Sequence, residues 1–570
     1  MKTIGMLTAT ATIALASSAS AQLASHEEAV RWVEETALSL SLEEKVAQMV
    51  CEQMRGEYIA DDADEFLYWS ELVRDHGIGG FVVYGGTPQD TAHLLNRLQE
   101  LARVPLLISA DFEGGPGQQF TGASEFPANM ALAASGSESL AYEVGRAGAL
   151  EGRAIGIHLT YSPVVDVQTR PDNPVLSVRS FGKDVDLLGR MAAAYIRGYQ
   201  ENGMLATAKH YPGRGDVDML DDEFLINRKP ADRVEAEDLA AFRKAIDAGV
   251  TFVMSEHIII PSITDGSNLP ASVESQLASN WLRERLGFEG VLTTDDLWYP
   301  KVVERFGAER AGVLAIQAGH DALLKPLNAI KTIEAVVAAV REGEIPVERI
   351  DASAERLLYW KARLNLHRDR FVDVTKISSV VGSKEHTELV QEVAERSLTL
   401  LVNNDFFPST VDGLGDVVHI TLQKNANDAV PPLVANELAS ALPVRDTFQI
   451  RSDVSPAVYE SAMRAARTAD TVIVSLFRQR TVYVDNGVLP ARQLEWLQRI
   501  IQANSRTVVM SYGNPYLVEG LRGAAAFAVG YGEGGFYGNQ TVYAAAFIRL
   551  LKGEIEATGT LPVALAGGGS

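Results

Sequence analysis

The charged side chains of this sequence repeatedly close apolar runs. One run ends in Asp111-Phe112-Glu113-Gly114-Gly115 and another in Lys209-His210-Tyr211-Pro212-Gly213-Arg214. Others end in Ser255-Glu256-His257 and in Thr293-Thr294-Asp295-Asp296. Between the first two lie Asn173-Pro174-Val175 and Arg179-Ser180-Phe181-Gly182. A lone acid at the end of a strand reads as well as a structural ion pair, because ion-pair networks also put charges in clefts. Carboxylates, a lysine, an arginine and a histidine at successive run ends are different. They describe a cup of fixed donors and acceptors, which suits a neutral ligand rich in hydroxyls, such as a sugar.

The elements that must position these groups alternate. Apolar strand candidates cover residues 46–54, 77–84, 104–111, 155–167, 204–211, 250–257, 290–295 and 321–326, after a capping-box start at Ser41 and Glu44. Eight near-continuous hydrophobic strands joined by helical stretches fit an N-terminal (β/α)8 TIM-like barrel better than an open doubly wound sheet. In a barrel the reactive groups gather at the carboxyl ends of the strands, which is where these residues stand. The barrel domain is assigned to residues 22–366, and the polar stretch 367–384 reads as a linker. A second α/β set occupies 385–570, with strands at 398–402, 417–422, 471–477, 507–512 and 525–531 and a helix over 490–504. Its outline is a C-terminal three-layer α/β/α sandwich.

Composition narrows the function. With 570 residues, 46% hydrophobic and 22% charged, the chain has the make-up of a globular protein large enough for several domains. Lysine and arginine total 51 against 74 acids, and the net charge of −23 is repelled by nucleic-acid phosphates, so nucleic acid is excluded as a partner. The one cysteine, Cys51, lies in an apolar run and reads as a small buried hydrophobe; it excludes a disulfide framework and a cysteine metal cluster. Lys2, the apolar stretch 4–16 and Ala19-Ser20-Ala21 read as an export signal cleaved after Ala21, which sends the mature chain to the periplasm or the medium. No later stretch reaches the ~18 uninterrupted apolar residues of a membrane span.

Taken together the motifs resemble glycoside hydrolase family 3, and within it the bacterial β-N-acetylglucosaminidases. The resemblance rests on Asp111 to Gly115, on Asn173 through Gly182, on Lys209 to Gly213, and on Leu286-Gly287-Phe288-Glu289-Gly290 leading into Thr294-Asp295-Asp296-Leu297. It implies a retaining, exo-acting hydrolysis of β-glycosides that needs no cofactor or metal and acts on terminal N-acetylglucosamine. Asp295 matches the family's nucleophile, which forms a covalent glycosyl-enzyme that water then opens. Asp111, Arg179, Lys209 and His210 match residues that hydrogen-bond the hydroxyls of the sugar at the cleavage point. Asp296 should face away from the site if the strand continues, because neighbouring side chains alternate.

One position departs from that branch. There the lysine-histidine motif runs on to an aspartate-serine-histidine whose histidine protonates the leaving group. Counting forward without a gap places Leu220-Asp221-Asp222 at that point, and no histidine stands between His210 and His257. Asp222 takes the histidine's place, with Asp221 and Glu223 one residue away on either side. A carboxylic acid is a competent general acid once burial or a like charge raises its pKa. It also favours hydrolysis over phosphorolysis, since a carboxylate and a phosphate ~4 Å apart repel by a few kcal/mol in a partly dry site. Pro116 and Gly117 stand where the branch carries arginine and a β-branched residue, and Arg214 where histidine or leucine is common. Two other readings remain. A β-glucosidase-like enzyme would take its acid/base from the second domain, at Glu533 in Gly532-Glu533-Gly534-Gly535. A sugar-binding protein that had lost catalysis would not need a placed nucleophile such as Asp295.

Overall fold

The computed structural model describes residues 23–173, 175–218, 224–423, 429–451, 453–477, 489–532 and 539–565. Residues 1–22, on which the export-signal expectation falls, and Asp221, Asp222, Glu223 and Glu533 lie outside the described residues.

The capping box at Ser41 forms as expected. The Ser41 hydroxyl accepts from the Glu44 N–H at 3.2 Å, and the Glu44 carboxylate accepts from the Ser41 N–H at 2.8 Å. It starts a helix, Leu42–Gln48, that takes Val46 and Ala47, so the first strand begins later than residue 46. A short apolar run does not by itself separate helix from strand, and here the cap decides. The strands that follow are β1 (Val50–Arg55), β2 (Gly80–Tyr84), β3 (Leu107–Ala110), β4 (Leu159–Thr160), β5 (Leu205–Tyr211), β6 (Val217–Asp218), β7 (Leu225–Asn227), β8 (Phe252–Ser255), β9 (Ile258–Ile259), β10 (Val291–Thr294) and β11 (Leu323–Leu324). Eight of them form one parallel sheet in the order β10-β8-β5-β4-β3-β2-β1-β11, and a bridge between Thr293 and Ala322 brings its ends together as a near-closed barrel. Strands buried on both faces account for the continuous apolar runs in the sequence. The short β6, β7 and β9 make a separate sheet on the loops above it.

Close strand packing makes one glycine essential. A Cβ on Gly80 would lie 1.9 Å from the Leu107 carbonyl oxygen of the paired strand β3. Gly80→Ala is therefore expected to destabilise the barrel by roughly 1–3 kcal/mol, the usual cost of overpacking. Denaturant unfolding measures it, and an unchanged midpoint would contradict the tight β2–β3 approach.

The second sheet contains β12 (Thr399–Asn403), β13 (Val417–Gln423), β14 (Val444–Ile450), β15 (Thr471–Phe477), β16 (Thr507–Ser511) and β17 (Ala526–Val529), in the order β12-β17-β16-β15-β13-β14. All pairs are parallel except β12 with β17. Side chains alternate between the two faces. Val418, Ile420, Val472 and Val474 pack with the helices Pro456–Thr468 and Ala491–Ala503, while Val417, Ile473, Val508 and Met510 face the core shared with Lys384–Ser397, Val430–Ala441 and Val542–Leu551. The result is the expected three-layer sandwich. Strand β14 is an addition to the expected set: Arg445 and Asp446 charge it, as suits a sheet edge.

The two sheets meet along a hydrogen-bonded seam. Ala128 N–H donates to the Tyr531 carbonyl at 3.1 Å, Thr560 N–H to Ala134 at 2.9 Å, and Lys183 N–H to Pro562 at 3.0 Å. The stretch 367–384 is tied to the barrel by two hydrogen bonds between Asn96 and Val372, at 2.8 and 2.9 Å. Among the described residues no helix is long and apolar enough to cross a membrane.

Candidate active site

The strand ends converge on a cavity of about 290 Å³ lined by Tyr84, Asp111, Glu113, Arg179, Lys209, His210, Arg214, Asp295, Asp296 and Lys325. Asp111, Arg179, Lys209, His210 and Asp295, predicted from dispersed motifs, all face it.

Its first wall is an ion-pair cluster. Lys209 stands two residues before the end of β5, whose seven residues are all buried, and its Nζ lies 2.8 Å from both Asp111 Oδ1 and Glu113 Oε1. Arg179, in the turn Ser177–Arg179, grips Glu113 with two parallel bonds: Nε to Oε2 and Nη2 to Oε1, each 2.7 Å. Such a fork fixes geometry as well as charge. Burial alone would raise the Glu113 pKa, but the two cations overcome it and hold the carboxyl far below its usual range. Burial likewise opposes the charge of Lys209, and Asp111 and Glu113 overcome that and hold the ammonium above its ordinary range. Only Asp111 in this cluster keeps substantial exposure, 23% of its side chain, and it presents the acceptor face of the cup.

The second wall centres on Asp166. His210 Nδ1–H donates to Asp166 Oδ2 at 2.8 Å, and His210 Nε2 accepts from Arg214 Nη2 at 2.7 Å. Arg214 also bonds Glu256. Burial, with Arg214, Arg179 and Lys209 nearby, pushes the His210 pKa well below its usual value, so the ring is neutral and its tautomer set. Both ring nitrogens are thus engaged within the protein. His210 lines the cup, yet the polar edge expected to meet a sugar hydroxyl is bonded to Arg214. Burial pushes the Asp166 carboxyl up to about 6, although Arg214 opposes it.

The third wall is the turn after β10. Asp295 N–H donates to the Ser255 carbonyl at 2.9 Å, and Asp295 Oδ1 accepts from the Asp296 N–H at 2.7 Å. Asp296 does not face away as alternation would require. The strand ends at Thr294, the chain turns so that Leu297 N–H reaches the Leu324 carbonyl at 2.9 Å, and both carboxylates line the cup. Lys325 stands opposite with a left-handed backbone, φ 47°, and donates to Asp296 Oδ2 at 2.7 Å and to the Tyr84 hydroxyl at 3.2 Å. A positive φ at a non-glycine residue is the kind of local strain that collects at functional sites. Burial, reinforced by Asp295 and opposed by Lys325, pushes Asp296 up to about 6.

Reasoning from sequence assigned no role to Glu113, Asp166 or Lys325. Asp166 left one signal, an acid inside the apolar run 155–167, and Lys325 another, a cation closing the eighth run. Among the described residues, His210, Glu256 and Asp295 bring atoms of metal-ligand type within 4.8 Å of one another. Arg214 already bonds the first two, so a guanidinium supplies the positive charge there.

The N-terminal domain of glycosyl hydrolase family 3 matches residues 41–359, a span that holds every side chain of the three walls. The chain belongs to glycosyl hydrolase family 3. Among its relatives, a β-N-acetylglucosaminidase/β-glucosidase of Cellulomonas fimi is 33% identical over 385 residues, which cover 66% of this chain and 67% of that one. The β-hexosaminidase A of Pseudoalteromonas piscicida is 28% identical over 387 residues, covering 62% and 64%. The matches thus span about two thirds of these relatives' own lengths. A solved family 3 β-N-acetylglucosaminidase from Paenibacillus sp. str. FPU-7 superposes with a TM-score of 0.77 at 28% identity, over 92% of this chain and 99% of that one. The β-glucoside phosphorylase BglX shares the fold, with a TM-score of 0.81 at 24% identity over 94% and 96%.

Proposed function

We propose that this family 3 chain is an exported exo-β-glycoside hydrolase that releases terminal β-linked N-acetylglucosamine in two steps. The observation that supports this most is the placement of Asp295. One of its oxygens is held by the Asp296 N–H, and the carboxylate stands at the side of a polar cup of about 290 Å³. Asp111 as acceptor and Lys209 and Arg179 as donors would hold the ring's hydroxyls. The free oxygen of Asp295 attacks the anomeric carbon, the bond to the leaving oxygen breaks, and that oxygen takes a proton from the general acid. Water then attacks the same carbon, gives up its proton to the group that donated the first, and releases the sugar and Asp295. The acid role falls to Asp222.

A panel of aryl β-glycosides, assayed with and without inorganic phosphate, tests the reading. The expected result is release of N-acetylglucosamine at a rate that phosphate does not change. A sugar 1-phosphate product would replace hydrolysis with phosphorolysis, and inactivity on the whole panel would end the enzymatic reading. The panel includes β-glucosides, because the Cellulomonas fimi relative is named for both activities. Asp222→Ala is expected to cut turnover of poor leaving groups by about 10²–10⁴-fold while sparing activated aryl glycosides. An equal loss on both would take Asp222 out of the acid role. Export is tested by the mature N-terminus, expected at Gln22 in the periplasm or medium.

A further inference from the structure

Asp295 and Asp296 bring two successive carboxylates to one wall of the cup, and like charges so placed oppose each other's ionisation. The other acids of the site have buried cations of their own. Lys209 pairs with Asp111 and Glu113, Arg179 with Glu113, and Arg214 with Asp166 and Glu256. Among the described residues, one cation is bonded to the pair of Asp295 and Asp296, and it is Lys325. We infer that Lys325 is a positioning residue for the nucleophile: it holds the Asp296 side chain as an anion that shares no proton with Asp295. The inference rests on the glycosidase reading for the role of Asp295.

Lys325 is pinned at both ends of its backbone. Its N–H donates to the Cys51 carbonyl on β1 at 2.8 Å, and its carbonyl accepts from the Trp298 N–H at 2.9 Å. These two bonds hold the left-handed residue, φ 47°, between the ends of neighbouring strands. Its side chain is 8% exposed, and the ammonium bonded to Asp296 and to the Tyr84 hydroxyl also lies 4.7 Å from the centre of the Tyr84 ring and 5.4 Å from that of Trp298. A strained backbone and an immobilised lysine both cost free energy, which an ordinary surface charge would not require. Burial, Asp295 and Asp111 all favour the neutral form of Asp296, and the ammonium opposes them. The His257 ring, 3.0 Å from the Asp296 carbonyl, is the other titratable group bonded to this turn, while Glu52 and the Cys51 thiol face Lys325 from β1. Without the ammonium, Asp296 would take up a proton at higher pH. Its O–H would then stand beside Asp295, and a dyad sharing one proton would replace a free nucleophile.

The pH profile of kcat/KM on an aryl β-glycoside reads this, because it reports groups of the free enzyme. Lys325→Met is expected to move the acid limb up by about one pH unit or more, the usual effect of an adjoining charge, and Lys325→Arg to keep it near the parent's. In an Asp296→Asn background the same Lys325→Met change should not move the limb. A second readout needs no turnover: carbon NMR of the full chain labelled with [4-¹³C]aspartate. The resonance lost in Asp296→Asn should titrate at about 6 in the parent and higher in Lys325→Met. Should Lys325→Met fail to fold, Lys325→Gln is measured in its place. An acid limb and an Asp296 midpoint that both stay put in the neutral variant would overturn the inference. So would a Lys325→Arg profile shifted as far as that of Lys325→Met, or an equal shift in the Asp296→Asn background. A moved Asp296 midpoint in a chain that hydrolyses no glycoside would support the hold on Asp296 and overturn the glycosidase reading instead.

Discussion

Asp295→Asn is expected to lower kcat by at least about 10³-fold while ligand affinity is kept, because only the bond-forming oxygen is lost. The substitution preserves shape, and the amide oxygen can still accept the Asp296 N–H that Asp295 accepts at 2.7 Å. The backbone bond from residue 295 to the Ser255 carbonyl is untouched. Removal of the charge also relieves Asp296, whose carboxyl is raised first by burial and then by Asp295, so the variant should be no less stable than the parent. Calorimetry on a product analogue separates affinity from turnover. A slow 2-fluoro glycosyl donor should label Asp295 itself in the parent, and a label on any other residue ends its role as nucleophile.

Glu113→Gln is the second large effect, and it concerns the scaffold. The glutamate joins Arg179 to Lys209, and its side chain is only 5% exposed. An amide takes the shared carboxylate charge from two buried cations, and removal of one member of a buried ion pair costs about 3–5 kcal/mol. The pH dependence carries the signature. Because the folded pKa of Glu113 is depressed, its contribution is present above the unfolded value near 4.5 and is lost as pH falls below it. Asp166, Asp238 and Asp296 act in the opposite sense: burial raises each to about 6, so the folded state binds more protons than the unfolded one between about 4 and 6. Four buried imidazoles, His158, His210, His320 and His419, are held below their ordinary value of 6.5 by burial and take up protons mainly in the unfolded chain over the same range, so they offset these three acids; the drop on acidification below 4.5 is the share that Glu113 carries. Denaturant titrations across this range should show the acid drop weakened in Glu113→Gln. A variant within about 1 kcal/mol of the parent, with the same acid slope, would mean that the cluster does not hold the fold together.

The barrel was legible because parallel strands buried on both faces leave continuous apolar runs, and their ends are where charge reappears. That logic located Asp111, Lys209, His210 and Asp295 in one cup. It stopped where a local rule stopped. The run 46–54 could not reveal that a cap at Ser41 would carry Val46 into a helix, and alternation could not describe Asp296 once the strand had ended at Thr294. Edge strand β14 hid because only one of its seven residues is buried and its charges mimic a loop. Partnerships were the least visible: Asp166 binds His210 across 44 residues and Lys209 binds Asp111 across 98, distances over which only the closed sheet brings side chains together.

The seam between the sheets bears on the order in which the molecule is finished. Residues 560–562 bond Ala134 and Lys183, and a Cβ on Gly182, where φ is 126°, would come within 2.4 Å of the Pro562 carbonyl oxygen. Ala134 belongs to the helix Asn129–Ser135, whose Asn129 side chain donates to the Arg179 carbonyl at 2.9 Å, so both supports of the arginine turn lean on one late segment. A ribosome makes Arg179 early and Pro562 only after all six strands of the sandwich. The barrel can close before then, but the guanidinium that grips Glu113 is braced last. Completion of the second domain thus serves as the final step of assembly for a pocket built in the first.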